Sequence, residues 1–132
     1  MQKKLLSITI LFLLSSIVLF ADIKTLSEQQ IKEMVSHKWR LTTIEVKGKT
    51  IQVTDDKPQI ALKFNNNGTM DEYAGDKHFT GNWTYSHADY TIETKDKDGK
   101  EKHTILDISD KLLKMTTKFM GMKVVYVMKR VD

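Results

Sequence analysis

At 132 residues with 40% hydrophobic and 29% charged side chains, the chain has the composition of one globular domain, large enough for a single core and too small for two. The formal charge is +4, and setting aside Lys3 and Lys4 leaves 19 basic against 17 acidic residues, a net of +2 with no Lys/Arg run interleaved with aromatics, which excludes a nucleic-acid surface. The absence of cysteine excludes disulfides, thiolate catalysis, Cys-ligated zinc and a lipobox-type lipid anchor, so the core alone must hold the fold.

Residues 1–21 carry Lys3 and Lys4, then the apolar run LLSITILFLLSSIVLF, then Ala21 before Asp22. That order of charge, apolar stretch and small residue is a secretory signal, with cleavage expected after Ala21. Leu19 stands where a small residue is preferred. The alternative is an uncleaved anchor, since the run is at the lower limit of what spans a bilayer. Either way the domain lies outside the cytoplasm. The lysine-rich start and the lack of Cys point to a bacterial periplasm, with no stable membrane insertion once the segment is removed.

Residues 22–132 then read as one domain. Ser27 as N-cap places Gln30 at N3, a capping box, and Leu26 at N′ faces Ile31 at N4, a hydrophobic staple. The helix is expected to end near Ser36, with Ile31, Met34 and Val35 as its apolar stripe. Being short, it needs a surface to dock on.

From Trp39 the apolar period becomes two. Strands are expected at 39–47, 50–54, 59–64, 69–73, through Phe79, Gly81, Trp83 and Tyr85, then at 90–95, 102–106, 112–117 and 122–130. Phe79, Trp83 and Tyr85 share one face; Thr80, Asn82 and Thr84 share the other. The turn at Asn66-Asn67-Gly68 allows two registers. A three-residue loop with Gly68 left-handed sets Phe64 opposite Met70, both inward; a two-residue Asn67-Gly68 turn sets Phe64 opposite Asp71 and brings Tyr73 inside. The first gives Phe64 an apolar neighbour and is preferred. Turns between all neighbours and no crossover helix define an all-β fold, an up-and-down antiparallel β-barrel of about eight or nine strands preceded by one short N-terminal helix. Closure also removes exposed edges.

Lys38-Trp39-Arg40-Leu41, Leu62-Lys63-Phe64-Asn65-Asn66-Asn67-Gly68 and Thr80-Gly81-Asn82-Trp83 together resemble the lipocalin-like (calycin) families, and more narrowly the small bacterial lipocalin-like domains. The resemblance covers about residues 26–131 and rests on short motifs. It departs from the pattern at His37, where lipocalins have a glycine two before the tryptophan, and the mature chain is shorter than typical ligand carriers. The resemblance implies that Arg130 packs across Trp39 as a barrel-closing cation–π contact of roughly 0.5–2 kcal/mol.

The other residue groups carry less. His37, His78, His87 and His103 lack metal-ligand spacing and read as solvated surface histidines. Met115, Met120, Met122 and Met128 could form a soft Cu(I) site, but read better as filling of apolar gaps. Ser86 and His87 are adjacent in a strand, point to opposite faces, and lack an orienting acid, so no catalytic residue, metal or cofactor is assigned and the protein is read as a binder, not an enzyme. The inward row Phe64, Met70, Phe79, Trp83, Tyr85 and Tyr90, with Trp39 and Met115, is the candidate ligand lining. It is apolar, with no ionised residue, and Tyr73 or Tyr85 would meet a polar head. Two functions follow from it. One is carriage of a small apolar or amphipathic molecule. The other is a filled barrel that binds another envelope protein through the Met120-Gly121-Met122 turn and Phe119, and chain length favours the filled interior.

Overall fold

The structure is a computed structural model that describes residues 22–132; the signal or anchor expected at 1–21 lies outside the described residues. A 3₁₀ turn, Ile23–Thr25, leads into the helix α1, Glu28–Val35. Ser27 Oγ accepts from the Gln30 N–H, and the Gln30 side-chain oxygen accepts from the Ser27 N–H, so the capping box forms as its sequence signals. Ile31 and Val35 are fully buried and Leu26 packs against the same cluster. Eight residues make a marginal helix in isolation. This one is held because its stripe is part of the barrel's core.

Nine strands follow: β1 (Lys38–Val46), β2 (Lys49–Gln52), β3 (Ile60–Phe64), β4 (Thr69–Ala74), β5 (Lys77–Ser86), β6 (Thr91–Asp96), β7 (Gly99–Ile108), β8 (Leu112–Phe119) and β9 (Met122–Arg130). From β3 to β9 each strand pairs antiparallel with the next, and β9 returns to β1 from Trp39↔Arg130 to Val46↔Val124. The result is a closed eight-stranded barrel with β2 as an extra strand. On its other edge β1 pairs with β3 only through Lys38, Trp39 and Arg40, and then with β2 from Thr43 to Val46.

Phe64 pairs with Met70, and Gly68 has φ 90°, so the three-residue loop sets the register and Tyr73 lies on the outer face. There Tyr73 stacks on His78 at 4.7 Å, and Lys38 Nζ sits 4.4 Å from its ring centroid. Two bulges interrupt the alternation, between Leu41 and Thr43 in the β1–β9 ladder and between Ile105 and Asp107 in the β7–β8 ladder. Each lets the strand coil, and each explains an apolar spacing of three, Leu41 to Ile44 and Ile105 to Ile108. Gly81 has a different cause. A Cβ there would lie 2.5 Å from the Lys95 carbonyl oxygen, so the wall can close between β5 and β6 only at a glycine.

The core fills the helix end of the barrel. Trp39, Phe64, Ile92, Ile108, Leu113, Met115 and Met128 are essentially inaccessible there. Trp39 Nε1 donates to the Val35 carbonyl at 2.9 Å, Trp83 Nε1 to the Asn65 carbonyl at 2.7 Å, and Phe64 meets Trp83 edge-on at 5.4 Å. Arg130 corrects an expectation. It is the cross-strand neighbour of Trp39, but its Nε donates to Asp132 at 3.0 Å and Nη1 reaches the Asp110 carbonyl at 3.5 Å. The one cation–π contact among the described residues is Lys38 on Tyr73. The aromatic partner of the Trp39 indole is His37, edge-on with centroids 6.4 Å apart.

Candidate functional site

Toward the end opposite α1, the inward positions change character. Along β6, Ile92 is followed two residues on by Thr94, and along β7, Ile105 is preceded by His103 and Glu101. Gly81 leaves bare wall between Phe79 and Trp83. These smaller or shorter-reaching groups leave a cavity of about 1130 Å³, open at the rim, where length alone favoured a filled interior. Its apolar wall is Leu41, Ile44, Leu62, Met70, Phe79, Val124 and Met128; its polar wall includes Glu72, Thr94, Glu101, His103 and Tyr126. That volume is slightly above the range of about 300–1,000 Å³ usual for small-molecule sites, which pair an apolar wall with a few convergent polar groups. A smaller groove beside α1, about 300 Å³, is lined by Leu26, Gln30, Met34 and Arg130.

His103 anchors the polar wall and is only 7% exposed. Its Nε2 lies 3.5 Å from Glu101 Oε2 and 3.5 Å from Thr94 Oγ1, and Nδ1 is hydrogen-bonded to the Tyr126 hydroxyl. A carboxylate only accepts, so the ring proton belongs on Nε2, and Nδ1 accepts from the hydroxyl. Burial pushes the His103 pKa down to about 4, keeping the ring neutral. Burial, then the charge of Glu101, pushes the Tyr126 phenol up, so it stays a donor. Burial also raises Glu72, with the charges of Glu101 and Asp96 acting in the same direction. The wall therefore offers carboxylate acceptors and a neutral imidazole–phenol pair to whatever enters.

Of the residues expected to line a ligand site, the structure places Met70 and Phe79 on the cavity. Phe64 and Trp83 lie in the packed end, while Tyr85 and Tyr90 pack against that core and flank His87. The cavity wall carries ionisable Glu72, Glu101 and His103, where an apolar lining without ionised groups was expected. His103 is also buried, where a solvated surface position was expected. The signal for these residues was present: counting by two from Met70 gives Glu72, and from Ile105 gives His103 and Glu101. Polar identity near a turn outweighed it. Met115 and Met128 are buried while Met120 projects into solvent, so the methionines do not gather into a soft-metal site. His87 Nδ1 is hydrogen-bonded to the Tyr85 hydroxyl at 3.0 Å.

A closed eight-stranded antiparallel barrel, with a short helix packed at one end and a cavity open at the other, belongs to the class of up-and-down β-barrels. Within it, the chain belongs to the lipocalin-like domain family, whose model matches residues 35–115. That family consists typically of non-enzymatic binders. The fold is shared with a solved structure, the NMR structure of a protein from Bacteroides uniformis ATCC 8492. The two superpose with a TM-score of 0.55 at 20% sequence identity, over 76% of this chain and 92% of the other. No curated protein matches the chain in sequence.

Proposed function

We propose that this protein binds a small amphipathic molecule in the open half of its barrel. The apolar body lies against Leu62, Met70, Phe79 and Met128, and a hydrogen-bond-donating head, neutral or positively charged, meets Glu72, Glu101 and the His103–Tyr126 pair. The observation that carries this reading is the cavity itself, about 1130 Å³ and mostly apolar, with polar groups drawn into it from β4, β6, β7 and β9. A Kd near 1 μM corresponds to roughly 8 kcal/mol. Burying roughly 330 Å² of apolar ligand surface supplies that much before the cost of ordering the ligand. Export to the periplasm belongs to the same proposal and is supported by the order of Lys3, Lys4, the apolar run and Ala21.

The test is a titration with three fluorescent amphiphiles that share one alkyl chain and end in an amine, an alcohol or a carboxylate. Saturable binding of the amine and the alcohol is expected at micromolar concentrations, with the carboxylate weaker because two carboxylates already face the cavity. Met70→Trp, which fills the cavity, should remove the signal, and Thr84→Ala on the outer face should not. Absence of saturation with all three probes would sink the reading.

A further inference from the structure

The β8–β9 hairpin reaches the cavity rim and ends in Met120-Gly121, both left-handed at φ 51° and 77°. This is the geometry of a type I′ turn, whose first position favours Asn, Asp or Gly, because other side chains crowd the backbone there. Met120 nevertheless occupies it and stands 83% exposed, beside a Phe119 that is 61% exposed and also lines the cavity. Directly behind them, Lys118 pairs with Lys123 across the ladder, a like-charge arrangement that is unfavourable in water. Neither lysine makes an ion pair among the described residues. Residues 112–130 contain five basic side chains and no acidic one. The adjacent β1–β2 turn adds Lys47 and Lys49 at the same rim.

We propose that this tip docks on the surface of an anionic lipid bilayer. Phe119 and Met120 enter the boundary between headgroups and acyl chains, and Lys118 and Lys123 meet lipid phosphates. The shape of the patch selects this occupant. Two apolar side chains on a convex turn cannot bury the roughly 800 Å² per partner of a standard protein interface. A fluid bilayer closes around a convex tip, and each lysine near an anionic surface adds attraction. A tip of two apolar side chains and a few lysines makes a contact that is peripheral and reversible. Docking there turns the cavity mouth toward the lipid phase, where an amphipathic molecule partitions. The contact does not depend on an occupied cavity, so its failure and that of the ligand reading are separable.

Phe119→Trp supplies a reporter at the tip, and because it reads only that position it serves whether or not residues 1–21 remain on the chain. Trp39 and Trp83 are buried and give a constant background. With vesicles of phosphatidylglycerol and phosphatidylcholine, the emission of the new indole should shift to the blue and be quenched by brominated acyl chains. With pure phosphatidylcholine it should respond far less, and added salt should weaken the response. Lys118→Gln with Lys123→Gln should lower vesicle affinity by roughly 30-fold, at about 1 kcal/mol per lysine. Met120→Asn suits the left-handed turn better, so it should melt no lower than the parent while binding vesicles several-fold more weakly. Tip emission that stays water-like on both vesicle types would overturn the proposal and leave the patch to a protein partner. A shift of equal size on both, insensitive to the lysine substitutions, would overturn it as well.

Discussion

His103 shows how one side chain ties the interior to solution conditions. A histidine in the unfolded chain takes up its proton near its ordinary value of 6.5, whereas the folded ring resists until about 4. Between those values the unfolded state binds more protons, so stability is complete above 6.5 and declines as the pH falls toward 4, by up to about 3 kcal/mol. Glu101 nearby reduces the effect only modestly, because its carboxylate is largely exposed and screened. Urea midpoints at pH 7 and pH 4.5 should differ more in the parent than in His103→Gln; equal differences would mean that burial does not hold the ring neutral. Arg130 makes the opposite case. Its ion pair with Asp132 is partly exposed, so Arg130→Ala should cost less than about 1 kcal/mol and leave the indole emission of Trp39 unshifted. The sequence shows that His103 and Arg130 alternate inward. It does not show whether an inward polar group faces a cavity or a turn, because that depends on which neighbours across the ladder are short.

Elements were legible where their signals are local. The capping box, the helix end at Ser36 and the three-residue loop at Gly68 each involve residues within four positions of one another, and each appears as read. Ser27→Ala should therefore lower stability by about 1 kcal/mol in denaturant titration, and a change within error would mean that the plug helix is held by packing alone. Strand ends were less legible. β7 begins at Gly99 although residues 100–102 are charged, because Lys100, Glu101 and Lys102 pair through their backbones with Lys95, Thr94 and Glu93, and a ladder is indifferent to side-chain polarity. The role of Gly81 is also set across strands, by the Lys95 carbonyl. Gly81→Ala should destabilise by roughly 1–3 kcal/mol and broaden the amide resonances of β5 and β6 together.

At the scale of the molecule, the barrel could be read from nine alternating segments, and its hollow half could not. Volume inside a barrel depends on which inward positions are small or polar, and here Thr94 on β6 and His103 on β7 line the cavity, next to the strand β5 that carries Gly81. Ligand occupancy should raise the melting temperature in proportion to RT ln(1 + [L]/Kd), about 2.7 kcal/mol at a hundredfold excess over Kd. Met70→Trp should abolish that increment. Export is tested separately: intact mass of protein recovered from the envelope should begin at Asp22, and full-length chain confined to the membrane fraction would reverse the expectation.

Because β9 pairs with β1, the ring can close only after the last strand has emerged on the side where the domain folds. β1 is the first barrel strand to emerge and β9 the last, so seven strands must wait, with the free margins of β1 and β8 both open, until the eighth arrives. During that interval the nascent sheet resembles an unfinished ribbon, able to recruit a second copy in place of its own missing segment. Release of β9 is then the committing step, and the long sequence separation it must span favours folding in milliseconds to seconds. A premature stop before Met122 should yield oligomers rather than a smaller monomer, because what is lost is the strand that makes the ring a ring.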